Sequence, residues 1–321
     1  MIVLVPAAVH EELEEAAREA APDARLVAYT EDDAPVPTAE NAEAVLRWVA
    51  GKRYAQLIEN GPHVRWLHTA SAGVDHVLTP PVRTAAPRLT ITDSGPAFEI
   101  AISEFVLAWM LMVTRGLPEL LENQRERLWR PVPQDELWGK TVGIVGLGPI
   151  GRGVAARAKA FGMTTLGLRR TQSTPVANVD EVLTGANGLH RLLAQSDFVI
   201  LAAALTGETR HLLGAAELAR LKPTAWLINI ARGALVDEDA LIDALRRGGS
   251  LAGACLDVFA SEPLPADSPL WGLPNAYVAP HNSTGWTRGL RERQKRLFLD
   301  NLAKFARGLP LEGVVDVARG Y

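Results

Sequence analysis

The sequence carries a single cysteine, Cys255, so no disulfide can close within the chain. It lies in the apolar run LAGACLDV, where a buried, inert thiol is expected, and a reducing cytoplasmic setting fits. An excess of one charge sign is missing as well: Lys and Arg number 33 against 37 Asp and Glu, a formal net charge of −4. That balance excludes the basic footprint of a nucleic-acid-binding protein. The most apolar stretch, FVLAWMLMV at 105–113, falls well short of the roughly 20 residues that a bilayer span needs. Glu99, Ser103 and Glu104 flank it, so it reads as a buried helix, and no membrane partner is expected. The opening MIVLVPAAVHEEL has no basic residue ahead of its apolar run and passes directly into acidic residues, which predicts a first strand and not a signal peptide. Internal repeats and low-complexity segments are absent, and no metal is expected.

What is present is an alternation. Short runs of Val, Ile and Leu alternate with amphipathic helical stretches, the pattern of parallel strands joined by helical crossovers, so the class is α/β. At 321 residues the chain is long enough for two domains. The first series has strands near 2–5, 25–29, 44–49, 64–69 and 89–92, with helices near 10–21 and 52–60. A long helix is expected from about Ala97 to Trp129. A second series follows, with strands at 141–145, 164–168, 197–201, 225–230, 251–258 and 276–279. The last helix, about 285–307, carries a basic run that reads as a solvated face.

Between TVGIV and the helix IGRGVAARAKAF lies Gly146-Leu147-Gly148-Pro149-Ile150-Gly151. A dinucleotide site needs a tight turn at the first glycine, close backbone approach to a pyrophosphate at the second and helix-to-strand packing at the third. The helix start then offers unpaired N–H groups to the phosphates. A lone glycine pattern of this kind is weak, but here it follows a strand and opens a helix, the context that supports it.

In open parallel sheets, ligands bind outside the carboxyl ends of the strands. Arg232 follows AWLINI, Asp257 closes LAGACL, Glu262 sits in ASEPLP and His281 follows AYVAP. Together they suit hydride transfer to a carbonyl beside a carboxylate. A protonated imidazole at His281 can give a proton to the carbonyl oxygen, and a carboxylate at Glu262 can hold that imidazole charged. Arg232 can clamp the substrate carboxylate through its planar fork of donors.

The segments TVGIVGLGPIGRGVAARAKAFGM, INIARGALVDEDAL, GACLDVFASEPLP and APHNSTG resemble the D-isomer-specific 2-hydroxyacid dehydrogenase family, and the resemblance covers nearly the whole chain. It implies two Rossmann-like or flavodoxin-like domains with doubly wound parallel sheets. A cofactor domain at 96–285 would be inserted into a discontinuous substrate domain at 1–95 and 286–321. It implies Arg232, Glu262 and His281 as the catalytic set, Ala231 and Asp257 on the cofactor, with Asp257 holding the nicotinamide carboxamide, and SAGVD at 71–75 as the loop whose N–H groups, around Ala72 and Gly73, bind the substrate carboxylate. It also implies a homodimer acting on a small 2-oxoacid. Ala204 stands where the family usually has proline, leaving that loop less constrained, and Phe105 stands where many members have histidine, so no role transfers there. A formate dehydrogenase would carry glutamine at Glu262; a phosphite dehydrogenase, or a dinucleotide-sensing protein like the C-terminal-binding co-repressors, remains an alternative. Trp129 and Trp286 are candidates for a side-chain pocket, core packing being the commoner use of tryptophan.

The strand TTLGL ends in Arg169, Arg170 and Thr171. An NAD site usually has an acidic residue about 20 residues past the glycine turn, bonded to the adenosine ribose hydroxyls. Arginine cannot accept such a bond, but it can bind the 2′-phosphate of NADP. NADPH is therefore expected in preference to NADH, with Thr171 and Ser173 as supporting hydroxyls.

Overall fold

The structure is a computed structural model that describes residues 1–32, 34–36, 39–48, 51–171, 175–246, 249–285 and 287–321. Ser173 and Trp286 lie outside the described residues. The chain forms two compact units, Met1–Phe98 with Thr287–Tyr321, and Glu99–Trp286.

The first unit holds a parallel sheet of β1 (Ile2–Pro6), β2 (Arg25–Tyr29), β3 (Ala44–Arg47), β4 (Trp66–Thr69) and β5 (Thr90–Asp93), in the order β2-β1-β3-β4-β5. Successive strand side chains point to opposite faces, and here both faces are covered. Val3, Val5 and Trp66 pack with Leu13, Phe298 and Leu302 of helices Ala7–Ala20 and Arg288–Ala306. Leu4, Val45 and Leu67 pack instead with Leu57, Ile58 and Val82 of helices Arg53–Asn60 and Pro80–Ala85. Sheets covered on both faces need inner strands that are apolar throughout, which is why the inner strand β1, IVLVP, shows no polar alternation while the edge strand β5, TITD, does.

The second unit holds seven parallel strands: β6 (Thr141–Val145), β7 (Thr164–Leu168), β8 (Glu181–Leu183), β9 (Phe198–Leu201), β10 (Trp226–Asn229), β11 (Gly253–Leu256) and β12 (Ala276–Val278). Their order is β12-β11-β10-β9-β6-β7-β8. The chain runs outward from β6 to β8, then returns to β9 on the other side of β6. That reversal opens a crevice at the carboxyl ends of β6 and β9, the place where such sheets take ligands.

Four details differ from the sequence reading. The helix expected over Ala97–Trp129 is two, Gly95–Thr114 and Leu117–Arg125, because Gly116 adopts a positive φ of 59° that ends the first and starts the second. Strand β8 was not foreseen; it is three residues long and half buried, too short to show a period. The basic run on Arg288–Ala306 is not merely solvated. Arg291 and Lys295 both pair with Glu12 of helix Ala7–Ala20, and hydrogen bonds from Arg291 and then Lys295 hold the Glu12 carboxyl down at about 2. Trp129 is fully exposed, so it packs in no core within this chain. Helix Gly95–Thr114 is long and apolar enough to cross a membrane by length and composition alone, but half of that stretch is buried in the protein, as in a core helix.

Candidate active site

The glycine turn follows β6, and each glycine meets a different constraint. Gly146 has a φ of 101°, and a Cβ there would lie 2.7 Å from the backbone of Ala202 and Ala203, just past β9. At Gly151 a Cβ would lie 1.9 Å from the Gly146 carbonyl oxygen, so the start of helix Pro149–Ala160 can pack on the turn only without a side chain. Gly148, by contrast, faces open space. Two glycines packed shut and one open to the outside form a cradle that suits a pyrophosphate approaching the backbone. Pro149 and Ile150 begin the helix. Arg152, which was not singled out in the sequence, donates from Nη1 to the Leu147 carbonyl at 3.0 Å and fixes the tip of the turn.

Arg169, Arg170 and Thr171 follow β7. The Arg169 amide donates to the Leu183 carbonyl at the end of β8 (3.1 Å), so the unforeseen strand anchors this segment. Arg170 Nη2 donates to Glu208 Oε1 at 2.9 Å. No described residue pairs with the Arg169 side chain. Glu208 belongs to the ALTGETR loop, whose departure from proline at Ala204 is offset by hydroxyls. Thr209 Oγ1 donates to the Ala204 carbonyl (2.7 Å) and accepts from the Thr206 amide (2.8 Å), closing the loop by hydrogen bonds. Phe105 stacks at a tilt on Trp109, with ring centroids 4.7 Å apart.

Arg232, Glu262 and His281 follow β10, β11 and β12, three neighbouring strands. His281 Nδ1 and Glu262 Oε2 are 2.8 Å apart, and the other carboxylate oxygen of Glu262 accepts from the Phe259 amide at 3.0 Å. His281 has a φ of 53°, strained for a residue with a side chain. The strain is held by its surroundings. The His281 amide donates to the Asp257 and Ala279 carbonyls, and the fully buried Asp257 carboxylate accepts from the amides of Asn282 (2.6 Å) and Ser283 (3.0 Å). Asp257 thus grips the loop that carries His281. Asn229, not singled out in the sequence, does the same for Arg232: it is buried, donates to the Arg232 carbonyl at 3.0 Å and accepts from the Ala231 amide at 3.1 Å. A Cβ at Gly233 would collide with the Phe259 carbonyl carbon at 1.9 Å, so this glycine lets the Arg232 turn sit against the segment leading to Glu262.

In the first unit the SAGVD loop follows β4. The Ser71 carbonyl accepts from the Ser94 amide at 2.9 Å, and Ser71 Oγ donates to the Gly73 carbonyl at 2.9 Å. The amides of Ala72 and Gly73 have no acceptor among the described residues.

A histidine held by a carboxylate, at the same sheet edge as Arg232 and the glycine turn, can move a proton to or from an oxygen whose charge changes as hydride arrives or leaves. Comparison with known proteins agrees. Residues 107–283 match the family model of the D-isomer specific 2-hydroxyacid dehydrogenase NAD binding domain. The chain is 37% identical to a glyoxylate reductase of Thermococcus gammatolerans over 84% of its own length and 81% of that protein. It is 36% identical to glyoxylate/hydroxypyruvate reductase B of Pectobacterium carotovorum, over 87% of each. A D-isomer specific 2-hydroxyacid dehydrogenase from Xanthobacter autotrophicus, solved with NADPH and MES, superposes with a TM-score of 0.87 at 31% identity, covering 100% of this chain and 99% of that one. The chain belongs to the D-isomer specific 2-hydroxyacid dehydrogenase family. It is an enzyme that uses a nicotinamide dinucleotide and moves a hydride between NAD(P)H and a 2-oxoacid. These relatives lend no support to the phosphite or co-repressor readings.

Proposed function

We propose that the enzyme reduces short 2-oxoacids, glyoxylate and hydroxypyruvate among them, with NADPH in preference to NADH. The observation that carries this is the 2.8 Å contact of His281 with Glu262, next to the Arg232 turn at the strand ends. Bound in the glycine cradle, the dinucleotide supplies the hydride. Arg232 holds the substrate carboxylate and draws charge toward the carbonyl oxygen. His281, oriented by its hydrogen bond with Glu262, gives that oxygen its proton and takes it back in the reverse direction. In the first unit, the amides of Ala72 and Gly73 are assigned to substrate carboxylate binding.

Gly146, Gly148, Pro149, Ile150, Gly151, Ala231 and Asp257 are assigned to the cofactor, with Arg169, Arg170 and Thr171 on its 2′-phosphate. The NADPH bound to the Xanthobacter relative supports that assignment, as does the absence of any acidic residue at the end of β7. The pairing of Arg170 with Glu208 leaves Arg169 as the main phosphate contact. The relatives support a 2-oxoacid substrate, and we extend the reading to a cytoplasmic homodimer. A panel of 2-oxoacids of rising side-chain size, each assayed with NADPH and NADH, tests the proposal. Turnover of glyoxylate or hydroxypyruvate favouring NADPH supports it; no turnover of any 2-oxoacid sinks it.

A further inference from the structure

Arg47 is the last residue of β3, and only 6% of it is exposed. A guanidinium that deep is costly unless it is paired. Yet among the described residues no carboxylate lies within 4.0 Å of it, and its Nε atom has no partner. Its contacts are few. The guanidinium carbon sits 5.3 Å from the centre of the Tyr54 ring, a cation–π distance, while the Tyr54 hydroxyl is used on the Val77 carbonyl at 3.1 Å. Burial lowers the grip of Arg47 on its proton, but a guanidinium stays charged in a protein.

The remaining contact has a direction. Arg47 Nη1 lies 3.2 Å from Oγ1 of Thr69, its register partner at the end of β4. Thr69 Oγ1 is 2.9 Å from Ser71 Oγ, and Ser71 Oγ is 2.9 Å from the Gly73 carbonyl. Arginine can only donate and a carbonyl can only accept. Each hydroxyl has one hydrogen, so the chain runs one way: Arg47 to Thr69, Thr69 to Ser71, Ser71 to Gly73. Aligned hydrogen bonds of this kind polarise one another. With the Ser94 amide holding the Ser71 carbonyl, the turn is fixed on both sides of the two amides that lack acceptors.

We propose that Arg47 is a positioning residue for the substrate carboxylate: it holds the Ala72–Gly73 turn through the Thr69 and Ser71 hydroxyls and lends it a positive charge that no carboxylate among the described residues pairs at contact distance. The inference rests on the 2-oxoacid reading above. It gives a reason for a buried guanidinium at a strand end with no carboxylate in direct contact: Glu31 acts on it only from a distance, and the substrate supplies the nearer anion.

The test is steady-state kinetics with glyoxylate and NADPH, together with NADPH dissociation constants measured by fluorescence. Interactions that bind substrate and transition state alike alter KM and spare kcat. Arg47→Met is expected to raise the glyoxylate KM on the order of tenfold, leaving kcat and NADPH binding near the parent values. Ser71→Ala should raise KM in the same direction, and Ser71→Thr, which keeps the hydroxyl, should restore it. The double variant should lose no more than Arg47→Met alone, because both changes cut one relay. If Arg47→Met does not fold, Thr69→Val and Ser71→Ala carry the same test from the other links. An unchanged KM in these variants, losses that multiply in the double, or a loss confined to kcat and NADPH binding would overturn the inference. Absence of 2-oxoacid reduction by the parent enzyme would remove the underlying reading and the inference with it; parent activity with unchanged variant KM removes the inference alone.

Discussion

At the carboxyl ends of β10, β11 and β12 the chemistry-bearing side chains are ionisable and open: the His281 and Glu262 side chains are 48% and 37% exposed and touch at 2.8 Å. At the carboxyl ends of β3, β4 and β5 they are the hydroxyls of Thr69, Ser71, Thr92 and Ser94, with Arg47 buried against Thr69 and His68 buried against Thr92 and Ser94. Under the proposed function, the difference follows from what each edge would do. A group that changes charge during turnover must exchange protons with solvent, so it cannot be sealed in. A group that only has to present a fixed charge or a fixed donor gains from burial, where the field it casts is less screened.

Substitutions sharpen the contrast, and the largest effect belongs to the open edge. His281→Ala is expected to cost on the order of a hundredfold or more in kcat, the usual worth of a general acid, while NADPH binding, read by fluorescence, stays intact. A variant that keeps parent turnover would take proton transfer away from this edge. Arg232→Lys keeps the charge and loses the two-pronged geometry, so kcat/KM for glyoxylate should fall roughly ten- to a hundredfold; parent-like parameters would mean that no bidentate clamp exists there.

Arg169→Asp comes next. Loss of a charge-assisted phosphate contact costs about 1.5–3 kcal/mol, roughly tenfold or more in the NADPH KM, and the added carboxylate can bond to the ribose of NADH. The ratio of the two Michaelis constants is the readout, and a ratio unmoved by the change would leave Arg169 as a solvated charge.

The last effect lies in the sealed edge and concerns stability, leaving turnover at neutral pH untouched. His68 is fully buried, with Nδ1 2.8 Å from Thr92 Oγ1 and Nε2 3.1 Å from Ser94 Oγ, and burial pushes its pKa down from 6.5 to about 3. Between those values the unfolded chain takes up a proton that the folded chain refuses. The stability tied to His68 is therefore intact above pH 6.5 and is lost as pH falls toward 3, by at most ~1.4 kcal/mol per unit. Urea unfolding of the parent and of His68→Asn across this range should give a difference that shrinks as the pH is lowered; a constant difference would contradict a neutral buried ring.

The two edges were also unequally legible in the sequence. The glycine turn and the positions of Arg232, Glu262 and His281 could be read because each depends on local order, a strand followed at once by a turn. Arg47 looks like any arginine at a strand end, and its burial depends on Thr69 of β4 and on Tyr54, contacts that no local pattern announces. The same holds for Arg170, whose partner Glu208 is far along the chain, and for Arg291 and Lys295, tied to Glu12 near the opposite end. Asn229 and Asp257 were visible as residues, but their grip on the Arg232 and His281 loops appears only when the backbone amides they bind are in place. The break at Gly116 was hidden because an isolated glycine in an apolar helical pattern is tolerated in many helices.

The central claim is that the open edge works as one donor pair, with Glu262 holding His281 through their 2.8 Å contact. The most direct test is glyoxylate reduction by Glu262→Gln, His281→Ala and the double variant, measured beside the parent enzyme. Glu262→Gln should lower kcat about tenfold or more in the parent background. In the His281→Ala background the same change should cost little, because the pair is already broken. An equal loss in both backgrounds would contradict the account.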